Sequence, residues 1–176
     1  IVHAECNFFK YETAPFLYAR DHMMDDGVHA IDTSRWICGG KVVDIRCLTK
    51  QVNVPDINFI SALLAFDNGA TGVMINSWAS GRRIFKVEMH APGICVEAEH
   101  ERKGYLYTDG DTAGVEFDTK EIAGSDEFFV YGGFQAKSRE FIDALKAGIQ
   151  PESNFSDAVK TMEVAEKILA LSLLNG

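Results

Sequence analysis

Over the first two-thirds of this chain apolar residues mostly alternate with polar ones; near its end they recur every three or four positions. Alternation marks half-buried strands, and the longer period marks amphipathic helices. Residues 1–11 read as a strand, as do residues 41–49 with Val43, Ile45 and Cys47 on one side. Residues 58–66 and 71–79 flank Asp67-Asn68-Gly69, the clearest hairpin, because Asn-Gly supplies the positive φ values of a tight turn. Residues 83–90 and 94–101 flank Pro92-Gly93, another turn, and 104–108 and 114–117 are shorter strand patterns.

One helix interrupts the strands and two follow them. A loop through Pro15 leads to a helix over about 23–38, stopped by Gly39-Gly40, with Met24, Val28, Ile31 and Cys38 as its apolar stripe. Residues 134–147 carry Phe134, Phe141, Ile142 and Leu145 at helical spacing and end at Gly148. Ser156 then caps a last helix, with Asp157 in its first turn and Val159, Met162, Ala165, Ile168 and Leu169 inward. Successive strands with short turns predict an α+β fold: an open, predominantly antiparallel β-sheet with helices packed on one face. No repeat or internal boundary divides residues 1–176. In 58–66 both strand faces are apolar, with Phe59, Leu63 and Ala65 on one and Ile60, Ala62, Leu64 and Phe66 on the other. Such a strand needs both faces covered, so the open sheet face predicts a homo-oligomer, a dimer or tetramer.

Composition narrows the partners. The 47% apolar and 24% charged residues are those of a globular protein, and 176 residues suffice for a substantial core. Seventeen basic against 26 acidic residues leave a net charge of −9, which argues against nucleic acid or an anionic membrane as partner. No apolar run approaches the roughly 18 residues of a membrane span. Cys6, Cys38, Cys47 and Cys95 are dispersed, with no C-x-x-C pair, and read as reduced core thiols of a cytoplasmic protein rather than disulfides or a metal site. The chain opens at Ile1 within a strand pattern and reads as part of a longer protein, so any targeting signal would lie upstream.

The chemistry concentrates in Asp25-Asp26-Gly27-Val28-His29-Ala30-Ile31-Asp32, a D-x-G-x-H-x-x-D motif. On a helix Asp25, His29, Asp32 and Trp36 share one stripe. A carboxylate one turn before a histidine can fix its tautomer and stabilise its protonated form, as general acid/base work near neutral pH requires. Gly27 costs a helix about 0.8–1.0 kcal/mol relative to alanine, so something should approach the backbone there. Two other readings stand beside this one. His29 with a neighbouring carboxylate is also a common structural pair without chemistry. His22, Asp25, His29 and Asp32 are metal-ligating types, yet no HExxH-like spacing joins them.

The motif, with Arg35-Trp36-Ile37-x-Gly39 after it, resembles the substrate domain of the glucose-fructose oxidoreductase/inositol dehydrogenase (Gfo/Idh/MocA) family. Leu64-Ala65-Phe66-Asp67-Asn68-Gly69-Ala70 is similar to the family's strand-turn-strand segment, and Phe141-Ile142-Asp143-Ala144-Leu145 with Gly148 and Pro151 to its closing helix. Pro92-Gly93 stands where the family often has a glycine turn. In place of its usual glycine triplet before the motif stands Asp21-His22-Met23-Met24. The resemblance implies the substrate-binding and dimerisation domain of an NAD- or NADP-dependent oxidoreductase acting on a sugar, polyol or related carbohydrate. His29 would be its acid/base, Asp25 would orient His29, and Lys10 and Asp32 would lie near substrate, Asp32 alternatively serving as a surface salt-bridge partner. Trp36 would sit in the core. The dinucleotide would be held mainly by an N-terminal Rossmann domain, since no G-x-G-x-x-G follows a strand here, and these residues alone would be inactive. A non-catalytic binding or dimerisation module of the same fold is the alternative.

Overall fold

The computed structural model of the chain describes residues 1–12 and 22–174. The expected loop through Pro15, and Asp21 with it, lie outside the described residues. Eight strands form one sheet: β1 (His3–Tyr11), β2 (Val42–Lys50), β3 (Phe59–Phe66), β4 (Thr71–Ser77), β5 (Ala79–Ala91), β6 (Ile94–Glu99), β7 (Lys103–Thr108) and β8 (Val115–Asp118). Their order is β2-β3-β4-β1-β5-β6-β7-β8; only β1 and β4 run parallel. The α+β fold with a mostly antiparallel open sheet is therefore present. The first strand lies at its centre, between β4 and β5, and so joins two meanders, β2–β4 and β5–β8, that follow one another directly in sequence.

The helices are α1 (Val28–Cys38), α2 (Thr119–Ala123), α3 (Phe128–Tyr131), α4 (Phe134–Ala147) and α5 (Phe155–Leu174). The π-helical segment Met23–Gly27 runs directly into α1. Left-handed Gly39 (φ 70°) closes α1, and Asn68 Nδ2 donates to the Cys38 carbonyl at 2.8 Å, tying that helix end to the β3–β4 hairpin. Helices α1 and α5 cover one face of β1–β4. Between them lie Ala4, Cys6 and Phe8 of β1, Ile60 and Leu64 of β3, Met74, and Ile31 and Ile168 of the helices. Burial pushes the Cys6 thiol up to about 11, as expected of a core thiol. No helix of the described residues is long and apolar enough to cross a membrane.

Several packing expectations change. Val43 faces solvent, because a bulge between Val42 and Asp44 shifts the β2–β3 register and Val42 packs on the core instead. Asn154, not Ser156, caps α5: its Oδ1 accepts from the Asp157 amide at 3.1 Å. On α5 the buried stripe is Thr161, Val164, Ala165 and Ile168, one helical face, which leaves Val159 and Met162 exposed. On α4 only Ala144 is buried, so Phe141, Ile142 and Leu145 form an uncovered stripe. Trp36 is 73% exposed, on the side of α1 away from the sheet, and the fully buried tryptophan is Trp78. Cys47 and Cys95 are only partly buried.

Candidate functional site

The C-terminal end of β1 meets the π-helical segment at one ion pair. Lys10 Nζ donates to Asp26 Oδ2 at 2.6 Å and also stands 2.9 Å from Glu12 Oε2. The indole Nε1 of Trp78 donates to the same Asp26 oxygen at 3.0 Å. Burial pushes the Asp26 carboxyl up, but the bonds from Lys10 and Trp78 and the Lys10 charge outweigh it and hold Asp26 below its ordinary range. Burial alone would lower Lys10, and its two carboxylate partners reverse that and raise it. This pair sits behind His29, whose ring lies 6.4 Å from that of Phe8 and itself reaches solvent.

Asp25, His29, Asp32 and Trp36 are all exposed. The carboxylate that other side chains engage is that of Asp26. The Asp25 side chain has no hydrogen bond or ion pair among the described residues, whereas the Asp26 carboxylate takes two, from Lys10 and Trp78, and also feels the His29 charge. The π-helical segment winds more residues per turn than an α-helix, so a four-residue α-helical offset does not place Asp25 against His29. Gly27 meets its expectation: a Cβ there would stand 2.9 Å from Met23 Sδ and 3.2 Å from Asn76 Nδ2, and that amide donates to the Gly27 carbonyl at 3.4 Å.

Asp32 belongs to a bridge between α1 and α5. Thr161 Oγ1 donates to Asp32 Oδ1 at 2.7 Å, while Arg35 donates to Thr161 at 2.6 Å and to Asp157 at 2.8 Å. The Arg35 bond holds the Asp157 carboxyl low. The sequence marks Arg35 only as part of the motif and Asp157 only as a first-turn acid; their meeting with Thr161 is not legible in it, because the partners are more than a hundred residues apart. Beside this bridge opens a cleft of about 710 Å³, walled by His29, Asp32, Leu145, Asn154, Phe155 and Met162. His29 thus presents its imidazole to an apolar-walled cleft with polar groups at one side, a layout that suits a small hydroxylated ligand. His22, Asp25, His29 and Asp32 are not gathered around one point: His22 is buried against Trp78, and Asp32 is turned toward α5.

No glycine-rich strand-to-helix turn is present among the described residues. Gly39 ends α1, and Gly132-Gly133 joins two helices.

Comparison with known proteins follows the same line. The GFO/IDH/MocA C-terminal domain model matches residues 1–91. Among solved structures, a dehydrogenase from Clostridium difficile is similar over 96% of this chain and 54% of its own, with 20% identity and a TM-score of 0.79. An oxidoreductase from Agrobacterium radiobacter, in complex with NAD+, L-tartaric acid and magnesium, covers 99% of this chain and 55% of its own at 18% identity and TM-score 0.81. A levoglucosan dehydrogenase in complex with NADH and levoglucosan covers 99% and 57% at 14% identity and TM-score 0.82. The chain therefore spans about half the length of these structures. No curated protein matched it. Motif, sheet topology and family match agree, and this chain belongs to the GFO/IDH/MocA C-terminal domain family.

Proposed function

We propose that these residues form the substrate-binding and self-associating domain of an NAD- or NADP-dependent dehydrogenase acting on a CH–OH group of a sugar, polyol or related carbohydrate. The observation that carries this reading is His29, solvent-facing on the wall of the cleft and backed by the Lys10–Asp26 pair. The similarity to a fold that binds levoglucosan and NADH in one relative supports the substrate class.

In this reading His29 accepts the substrate hydroxyl proton as the carbinol carbon is oxidised, and returns it in the reverse direction. The nicotinamide, bound by residues outside those present here, supplies the hydride acceptor. Asp26 holds negative charge behind His29 and so favours its protonated form, and Lys10 keeps Asp26 ionised and in place. Asp32 lines the cleft with His29 and Asp25 is exposed one turn before His29, and both serve ligand hydroxyls in this reading. The free thiols fit a cytoplasmic setting. The test is turnover of the longest reading frame containing these residues against a panel of sugars and polyols with each nicotinamide. Activity that is lost in His29→Ala supports the assignment; undiminished activity in that variant refutes it.

A further inference from the structure

The sheet face opposite α1 and α5 carries a second cluster. Strands β5 and β6 pair antiparallel with His90 directly opposite Cys95, so both side chains leave the sheet on one face. Glu88, two residues before His90, emerges on that same face. One ligand atom from each of Glu88, His90 and Cys95 lies within 4.8 Å of the others, and all three residues are partly buried. Glu88 Oε1 already stands 3.0 Å from His90 Nε2. The His3 ring of the neighbouring β1 stacks on His90 at 6.0 Å and limits how that imidazole can turn.

We propose that Glu88, His90 and Cys95 bind a divalent transition-metal ion of the zinc class, with water in the fourth position. Bonds of about 2.0–2.3 Å to oxygen, nitrogen and sulfur put tetrahedral ligand atoms roughly 3.3–3.8 Å apart, so side-chain rotations bring this trio to binding distance without moving the strands. A thiolate, an imidazole and a single carboxylate select zinc or cobalt over magnesium or calcium, which need more oxygen ligands. The ion takes the place of the Glu88–His90 hydrogen bond, the neutral imidazole binding through a nitrogen lone pair, and displaces the thiol proton of Cys95 to solvent. Burial and the Glu88 and Glu97 carboxylates push that thiol up. Lys86 stands 3.4 Å from Glu88 but only 2.6 Å from Glu97, so it keeps a partner when Glu88 turns to the ion. Binding clamps β5 to β6 on a face remote from His29.

Cobalt(II) titrated into the reduced, metal-free chain tests this directly. One equivalent per chain should produce a thiolate-to-cobalt charge-transfer absorption that zinc then removes, and zinc should raise the thermal unfolding midpoint. Cys95→Ser should abolish the absorption, and His90→Ala and Glu88→Gln should weaken cobalt binding roughly 10–100-fold or more. Cys47→Ser, which alters the other partly buried thiol, should leave it unchanged. Circular dichroism establishes that each variant is folded, with Cys95→Ala as substitute if the serine form is not. The proposal is overturned if the wild-type chain shows no such absorption at saturating cobalt, or if the band persists without Cys95 or vanishes without Cys47.

Discussion

Lys10 and Asp26 meet at 2.6 Å, and that contact joins the end of the central strand to the segment that launches the motif helix. The two residues are 16 positions apart. Their pairing holds the backbone before His29 against the sheet, with Trp78 donating to the same carboxylate from beneath.

This relationship separates the two aspartates of the motif. If the proposed dehydrogenase reading holds, His29→Ala should lower turnover by roughly 10²–10⁴-fold, the usual contribution of a positioned acid/base. Asp26→Asn should also lower turnover, whereas Asp25→Asn should have the smaller effect, since only Asp26 is engaged. Steady-state rates for the three variants decide the order, and an Asp25 effect larger than that of Asp26 would reverse the assignment.

Substitution of Gly27 tests close approach against propensity. At an open helical position Gly→Ala stabilises by about 0.8–1.0 kcal/mol. Here the new methyl group meets Met23 Sδ at 2.9 Å and the Asn76 amide at 3.2 Å, both on buried side chains. Overpacking of that kind costs about 1–3 kcal/mol, so urea denaturation should show Gly27→Ala to be less stable than the parent.

The Asp26 and Asp157 carboxyls are both held low in the fold. A group whose folded pKa is depressed adds stability above its unfolded value, near pH 4 for aspartate, and that stability is lost as pH falls through the folded value. Unfolding midpoints measured from neutral pH down to about pH 3 should therefore drop, and Asp26→Asn should drop less steeply. An equal slope in the variant would show that Asp26 contributes nothing to acid sensitivity.

Leu48 and Leu63 are 58% and 47% exposed on the uncovered sheet face. Burying them against a second copy accounts for their presence. Light scattering should give at least a dimer at micromolar concentration, and Leu63→Glu should shift it toward monomer. A wild-type monomer at high concentration excludes this surface as the contact.

The described residues hold no phosphate-binding turn, and the chain carries a net charge of −9. Titration calorimetry of these 176 residues with NADH and NADPH should show no saturable heat. Micromolar binding of either would place a dinucleotide site within this chain.

Local signals in the sequence determined most of the elements. The apolar strands flanking the Asn68-Gly69 turn (φ 86° at Gly69) and the helix over 134–147 were legible because each depends on neighbours a few residues away. The family motif likewise marked His29 and the close approach at Gly27. Tertiary structure decided what depends on distant partners. It placed β1 between β4 and β5, moved the inward position from Val43 to Val42 through a bulge, and left Trp36 outside while burying Trp78. It also paired Lys10 with Asp26 and left the Asp25 side chain without a partner among the described residues, because the π-helical winding before α1 and the reach of Lys10 from β1 set which carboxylate meets the strand. A helical repeat read from sequence assumes 3.6 residues per turn. Where packing against a strand changes that winding, the sequence still names the motif, and only the fold selects which side chain meets the strand.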